Sequence, residues 1–171
     1  MRSGQRHALG SVRRVTNSDP SLLRQGSAGP SLVQRLAAYG IARQDGAVLL
    51  VRSSDRSDFP GWWSLPGGGV DHGEHPLDTV VRELREETGL TVQVTGTPRL
   101  HSHVLDLQAG TVRQHSVRVV VDVEVLAGTL TDETDGTTDL VQWVPVARFD
   151  ALQLMPFTRE ALSQPAPRNL S

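Results

Sequence analysis

Apolar residues fall into runs, alternations and helical repeats along the chain, and each habit predicts an element. Leu36 to Arg43 and Ala47 to Ser53 are apolar runs joined at Gln44-Asp45-Gly46. Asp-Gly between such runs signals a hairpin, because its turn positions take positive φ. Val48 to Val51 is continuously apolar, as in a strand covered on both faces. Ser53 to Pro60 is polar and reads as a loop. Trp62 and Trp63 then precede the turn Leu65-Pro66-Gly67-Gly68, so a short strand is expected there. Trp63 is expected in the core, and Trp62 either packed or stacked on a base. From Pro76 the period changes: Leu77, Val80, Val81, Leu84 and Thr88 recur on one helical face. Pro76 suits a first helical turn, Asp78 suits the positive end of the helix dipole, and Gly89 can take the left-handed conformation that stops the helix.

Beyond the helix, Thr91 to Val94 and Arg99 to Leu107 read as strands, with Ala109-Gly110-Thr111 as a turn. Val112 to Leu126 is a long strand in which Val117, Val119, Val121, Val123 and Val125 alternate with Arg118, Val120, Asp122 and Glu124. That pattern predicts one packed face and one more polar face. Ala127 to Thr138 is a loop rich in Gly, Thr and acids, and Leu140 to Val146 is the last strand. Two short helices are expected, over Ala147 to Leu152 and Pro156 to Leu162. Residues 1–34 show no sustained period and are expected to be a flexible N-terminal tail, with a short helix over Ser31 to Leu36 as an option. Residues 164–171 are expected to fray as a C-terminal tail. One domain over 35–163 remains, of the α/β class, with helices packed on a mixed sheet.

Composition narrows the function more than the fold. At 171 residues and 37% apolar content, the chain can bury a substantial core. A net charge of −2 gives no global attraction to nucleic acid or membrane, so neither is expected as a partner. There is no cysteine, which excludes disulfides, thiol catalysis and zinc-thiolate sites. No apolar run reaches the length of a membrane span. The basic N-terminal segment lacks the apolar stretch of a secretory signal, and a cytoplasmic location is expected.

The chemistry concentrates on the helix. At about 100° per residue, Glu83, Glu86 and Glu87 fall within an arc of roughly 100° beside the apolar face. Like charges three and four apart repel by a few tenths of a kcal/mol per exposed pair. A hard divalent cation would turn that repulsion into a site. A solvated acidic face, with Arg82 and Arg85 as ion-pair partners, is the plainer alternative. The neighbouring residues decide between them. Gly68, Glu74, Arg82, Glu83, Leu84, Glu86, Glu87, Gly89 and Leu90 fill every fixed position of the Nudix box, and Leu65-Pro66-Gly67-Gly68 extends the match upstream. The chain resembles the Nudix hydrolases over about residues 36–163.

The resemblance implies an α/β/α sandwich with a mixed central sheet. It implies a MutT-like enzyme that hydrolyses a pyrophosphate bond in a nucleoside di- or triphosphate derivative, by attack of water at phosphorus. It also implies Mg2+, with Mn2+ as the alternative, on Glu83, Glu86, Glu87 and the carbonyl of Gly68. In the family the box arginine, here Arg82, orients the carboxylates, and Glu74 ties the loop to the helix. The general base is either a box glutamate or an acid of the loop before the last strand, where Glu133 is preferred over Asp135. The catalytic set is therefore Glu86, Glu87, Arg82 and Glu133. The window Asp106 to Gln108 carries none of the substrate markers of the family, so a nucleotide substrate is expected without a subfamily. The alternatives are a nucleotide-sensing module without catalysis and an ADP-ribose or nucleotide-sugar pyrophosphatase. An isopentenyl-diphosphate isomerase is disfavoured by the lack of cysteine. Homodimers are common in the family.

Other candidates lie outside the box. Arg52 and Arg56 flank the Ser53 to Pro60 loop and could grip phosphate or sit in solvent. His101, His103 and His115 lie on neighbouring strands and raise zinc as an option. Packing or a place along a polar cleft is the commoner fate of such histidines.

Overall fold

The computed structural model describes residues 29–132 and 137–164. Along the chain run β1 (Ser31–Gln44), β2 (Ala47–Ser53), β3 (Trp63–Ser64), β4 (Gly67–Gly69), α1 (Pro76–Thr88), β5 (Leu90–Val94), β6 (Arg99–Leu107), β7 (Val112–Gly128), β8 (Thr138–Pro145) and α2 (Pro156–Ser163), with a 3-10 turn over Val146–Ala151. The eight strands make one mixed sheet, ordered β3-β2-β1-β7-β5, with β8 also on β2, β4 on β1 and β6 on β7. Among the named strand pairs of the described residues, β1 with β7 is parallel and the others are antiparallel.

Strand β1 begins at Ser31, and the short helix considered for Ser31 to Leu36 is absent. The reason is a distant partner. Ser31 to Ala42 pair in continuous register with Val112 to Val123, which gives this backbone hydrogen-bond partners that no local pattern announces. The sheet thus reaches into the stretch expected to be tail. Residues 1–28 and 165–171 lie outside the described residues.

Two cores lie on opposite faces of the sheet. On one, Val80 and Leu84 of α1, both fully buried, meet Ala38, Ala42, Val119, Val121 and Val123. Burying side chains of this size contributes roughly 1.5–3 kcal/mol each. Gly40 permits the approach, since a Cβ there would stand 2.9 Å from Leu84 Cδ1. On the other face, Tyr39, Leu50 and Val120 pack against Phe157 and Ala161 of α2. The chain is therefore an α/β/α sandwich.

Two periodic expectations need correction. Val81, counted on the apolar face of α1, points outward and is 37% exposed, while Glu87 is buried on that helix. On β7, alternation puts Arg118 and Val120 on the more polar face, yet both are buried. α2 covers that face, and it comes from a distant part of the chain. Trp63 is buried as expected, and Trp62 packs edge-on against Phe59 with ring centroids 6.3 Å apart. Among the described residues no helix is long and apolar enough to cross a membrane.

Candidate active site

The helix is fixed at both ends before its acids are considered. His75 caps the start, its Nδ1 accepting from the Leu77 N–H at 3.2 Å. Gly89 ends it at φ +73, donating its N–H to the Arg85 carbonyl at 3.0 Å. Thr79 and Thr88, wholly buried, turn their hydroxyls inward: Thr79 donates to Glu74 at 2.7 Å and Thr88 to the Leu84 carbonyl.

Arg82 then gathers the carboxylates. Its Nε and Nη2 donate to the two oxygens of Glu74 at 2.9 and 3.0 Å, a bidentate pair. Its Nη1 lies 3.0 Å from both Glu83 Oε1 and Glu86 Oε2, and Nη2 also reaches the Gly69 carbonyl at 3.3 Å. Glu74 further accepts from the Asp71 N–H at 3.1 Å. With the Arg82 guanidinium as the main cause, then Thr79 and the Asp71 N–H, the Glu74 carboxyl is lowered to about 2. Arg82 in turn is raised, chiefly by Glu74.

The glycine turn brings backbone to the acids. Gly67 sits at φ +141, and a Cβ there would run into the Ala38 carbonyl, so only glycine fits. Its N–H donates to Glu87 Oε2 at 2.8 Å, which helps hold a carboxylate that is only 6% exposed. A Cβ on Gly68 would stand 2.5 Å from Glu83 Oε1. Gly68, Glu83 and Glu87 thus share one wall of a cleft of about 420 Å³. The α2 side of the cleft holds Arg118 and Phe157, with Gln114, Leu105 and Leu107, while Arg35 reaches toward the glycine turn, its Nη2 3.8 Å from where a Gly69 Cβ would stand.

The expected set is not fully brought together. Glu83, Glu87 and Gly68 meet at the cleft, whereas Glu86 is turned to Arg82, its side chain 55% exposed, and lies off the cleft wall. Among the described residues no three His, Cys, Asp or Glu stand close enough to hold a metal ion as placed. Arg82 Nη1 lies between Glu83 and Glu86 and draws oxygens of both to itself. The donor types still suit a hard cation, because Glu83, Glu87 and the backbone of Gly68 offer oxygens at one wall. Glu133 and Asp135 lie outside the described residues.

The remaining candidates have other partners. Arg52 makes a bidentate pair with Asp139 across β2 and β8, at 2.8 and 3.1 Å. Arg56 lines the cleft. The three-histidine zinc reading fails on register. His101 and His103 stand opposite Arg118 and Ser116, whereas His115 stands opposite Val104 and so points to the other face. His115 meets Ser102 at 2.7 Å. His101 and His103 meet Glu160 of α2 at 3.3 and 3.1 Å, away from the cleft wall.

Sequence reasoning missed Arg35, Tyr39, Gln114, Arg118 and Phe157. A signal was available for one of them: Arg118 interrupts a run of valines, where a charge needs a reason.

Comparison with known proteins gives the same picture. The NUDIX domain family model matches residues 33–164. Nucleoside triphosphatase NudI of Enterobacter sp. (strain 638) is 43% identical over 63 residues, 36% of this chain and 45% of the relative. Its counterpart in Escherichia fergusonii is 47% identical over 57 residues, 33% of this chain and 40% of the relative. The chain thus spans less than half the length of the curated relatives it matches. Among solved structures, a MutT NUDIX hydrolase from Burkholderia pseudomallei has a TM-score of 0.66 at 27% identity, covering 77% of this chain and 97% of that one. The NUDIX domain of Shewanella oneidensis NrtR, complexed with ADP ribose, has a TM-score of 0.57 at 22% identity, over 85% of this chain and 90% of that one, a likeness of fold alone. With a family match over most of its length and the box acids on one helix beside the glycine turn, the chain belongs to the Nudix family.

Proposed function

We propose that the protein is a divalent-metal-dependent pyrophosphohydrolase acting on a nucleoside di- or triphosphate derivative. The observation that carries this is the convergence of Glu83, Glu87 and the Gly67–Gly69 backbone on a cleft that Arg35, Arg56 and Arg118 also line. Bare carboxylates would repel a pyrophosphate, and those arginines would attract it. Mg2+ or Mn2+ held by Glu83, Glu87 and Gly68, with Glu86 swung from Arg82, would offset the repulsion between acid and phosphate and acidify the attacking water.

The protein's own groups do the rest. Arg82 keeps Glu83 aimed, with Nη1 at 3.0 Å from its Oε1, while Glu74 anchors Arg82 from behind. The Gly67 N–H fixes one oxygen of Glu87, leaving that carboxylate oriented toward the cleft. Glu87 is the box candidate for taking the proton of the attacking water, and Glu133 is the loop candidate. NudI relatives named as nucleoside triphosphatases support a nucleotide substrate.

The test is release of pyrophosphate or phosphate from a nucleotide panel, with and without Mg2+. Glu87→Gln should lower kcat by about 10²-fold or more, the usual scale for losing a group that moves a proton in the transition state. Turnover that survives chelation, or that is undiminished in Glu87→Gln, would reject the site.

A further inference from the structure

Arg118 occupies the middle of β7, beside Ala37 of β1, which in turn pairs with Gly69 of β4. Two strand spacings, about 10 Å, therefore separate its backbone from the glycine turn in the same sheet. Arg118 is 4% exposed, yet it lines the same cleft as Glu83 and Glu87. Its guanidinium lies 4.6 Å from the centroid of the Phe157 ring, and that ring is braced by Tyr39 at 4.6 Å.

The Nε and Nη1 of Arg118 are buried and have no hydrogen-bond partner among the described residues. A buried cation with idle donors carries a desolvation cost that stacking on a ring offsets only in part. No carboxylate among the described residues pairs with it. Glu160, the one acid on α2, is turned to His101 and His103. Arg35 adds to the imbalance: it shares the face and lines the cleft, close enough for its charge to oppose that of Arg118. Among the described residues neither arginine is paired with a carboxylate, and an anion would satisfy both.

We propose that Arg118, backed by Arg35, binds a second anionic group of the substrate, a terminal phosphate beyond the one that a divalent metal at Glu83 and Glu87 would hold. The protein would then select nucleoside triphosphates over nucleoside diphosphates whose far end is an uncharged sugar. This rests on the reading of the cleft as a nucleotide pyrophosphohydrolase site.

The test compares an α,β-imido nucleoside triphosphate with a nucleotide sugar, UDP-glucose, by calorimetry in the presence of Ca2+. Arg118→Met keeps the volume and the ring contact and removes the charge. It should weaken binding of the imido triphosphate about tenfold or more, as expected for a lost charge-assisted hydrogen bond, and alter UDP-glucose binding by less than about twofold. Arg118→Lys should recover part of the loss, and the KM for triphosphate hydrolysis should rise with kcat little changed. If Arg118→Met fails to fold, Arg35→Met carries the same comparison and should give the same bias with a smaller effect. Equal weakening of both ligands, no weakening, or no binding of the imido triphosphate to the unaltered protein would overturn the proposal. The two readings fail separately. Arg118-dependent binding without turnover sinks the hydrolase, and turnover indifferent to Arg118 sinks the phosphate site alone.

Discussion

The two sides of the cleft treat their arginines in opposite ways: Arg82 stands behind the acids of α1, off the cleft, and Arg118 lines the cleft itself. Arg82, on the α1 side, is surrounded by acids: Glu74 in a bidentate pair, and Glu83 and Glu86 each at 3.0 Å. Arg118, on the α2 side, is more deeply buried and has two nitrogens without hydrogen-bond partners among the described residues. A residue whose bonds are all satisfied internally is part of the scaffold. A buried cation left unsatisfied costs stability, and proteins retain such costs where a ligand repays them. The contrast separates the residues that shape the site from those that can discriminate among substrates.

The largest expected effect tests the scaffold under the α1 wall. Leu84→Ala removes a fully buried side chain from beneath the helix that presents the acids. It should cost about 2–5 kcal/mol, measured by urea denaturation, because rigid strands on the other side cannot close the cavity. Arg82→Ala should follow at about 1–3 kcal/mol, since it strands three carboxylates at once. Arg118→Met should be neutral or slightly stabilising by the same measurement, because it removes an unpaired buried charge. If Arg118→Met destabilised as much as Arg82→Ala, the two walls would not differ in kind.

What could be read in the sequence divides along the same line. The α1 wall is local: Gly68 to Leu90 is contiguous, so spacing alone put Glu83, Glu86 and Glu87 on one side of a helix and paired Arg82 with Glu86. The α2 wall is assembled from β1, β6, β7 and α2, and its composition depends on register. His115 shows the limit, since a one-residue difference in pairing moved it to the other face from His101 and His103. Arg118 shows it again. Alternation along β7 marked it as belonging to a polar face, and only α2, packed from elsewhere in the chain, makes that face interior. The β1 extension from Ser31 was likewise illegible, because its partner begins at Val112. Even on the local wall, spacing made the Arg82–Glu86 pair available but did not show that it leaves Glu86 off the cleft.

A smaller effect comes from acid. Glu74 has its carboxyl lowered from an ordinary 4.5 to about 2, chiefly by Arg82. A group depressed in the folded state stabilises fully above its unfolded value and loses that contribution as pH falls toward its folded value. The stability difference between the unaltered protein and Glu74→Gln should therefore be constant above about pH 4.5 and shrink between there and about pH 2. Parallel acid titrations followed by tryptophan fluorescence would show it. A difference that stays constant down to pH 2 would mean that the Arg82 pair does not govern Glu74.

The smallest effect isolates surroundings from geometry. Arg52 and Asp139 form a bidentate pair at 2.8 and 3.1 Å, nearly the same arrangement as Arg82 with Glu74 at 2.9 and 3.0 Å. The differences are exposure and company. The Arg52 and Asp139 side chains are 40% and 42% exposed, whereas Glu74 is 17% exposed and Arg82 serves two further acids. Water screens the first pair, and holding two long side chains in register costs entropy. Arg52→Ala should therefore lower stability by about 0–1 kcal/mol, and the loss should shrink further at 1 M salt, where the screening length is about 3 Å. The loss in Arg82→Ala should persist at the same salt. Equal, salt-sensitive losses in both variants would mean that the box arginine is an ordinary surface ion pair, and the α1 wall would lose its distinction as a self-contained lock.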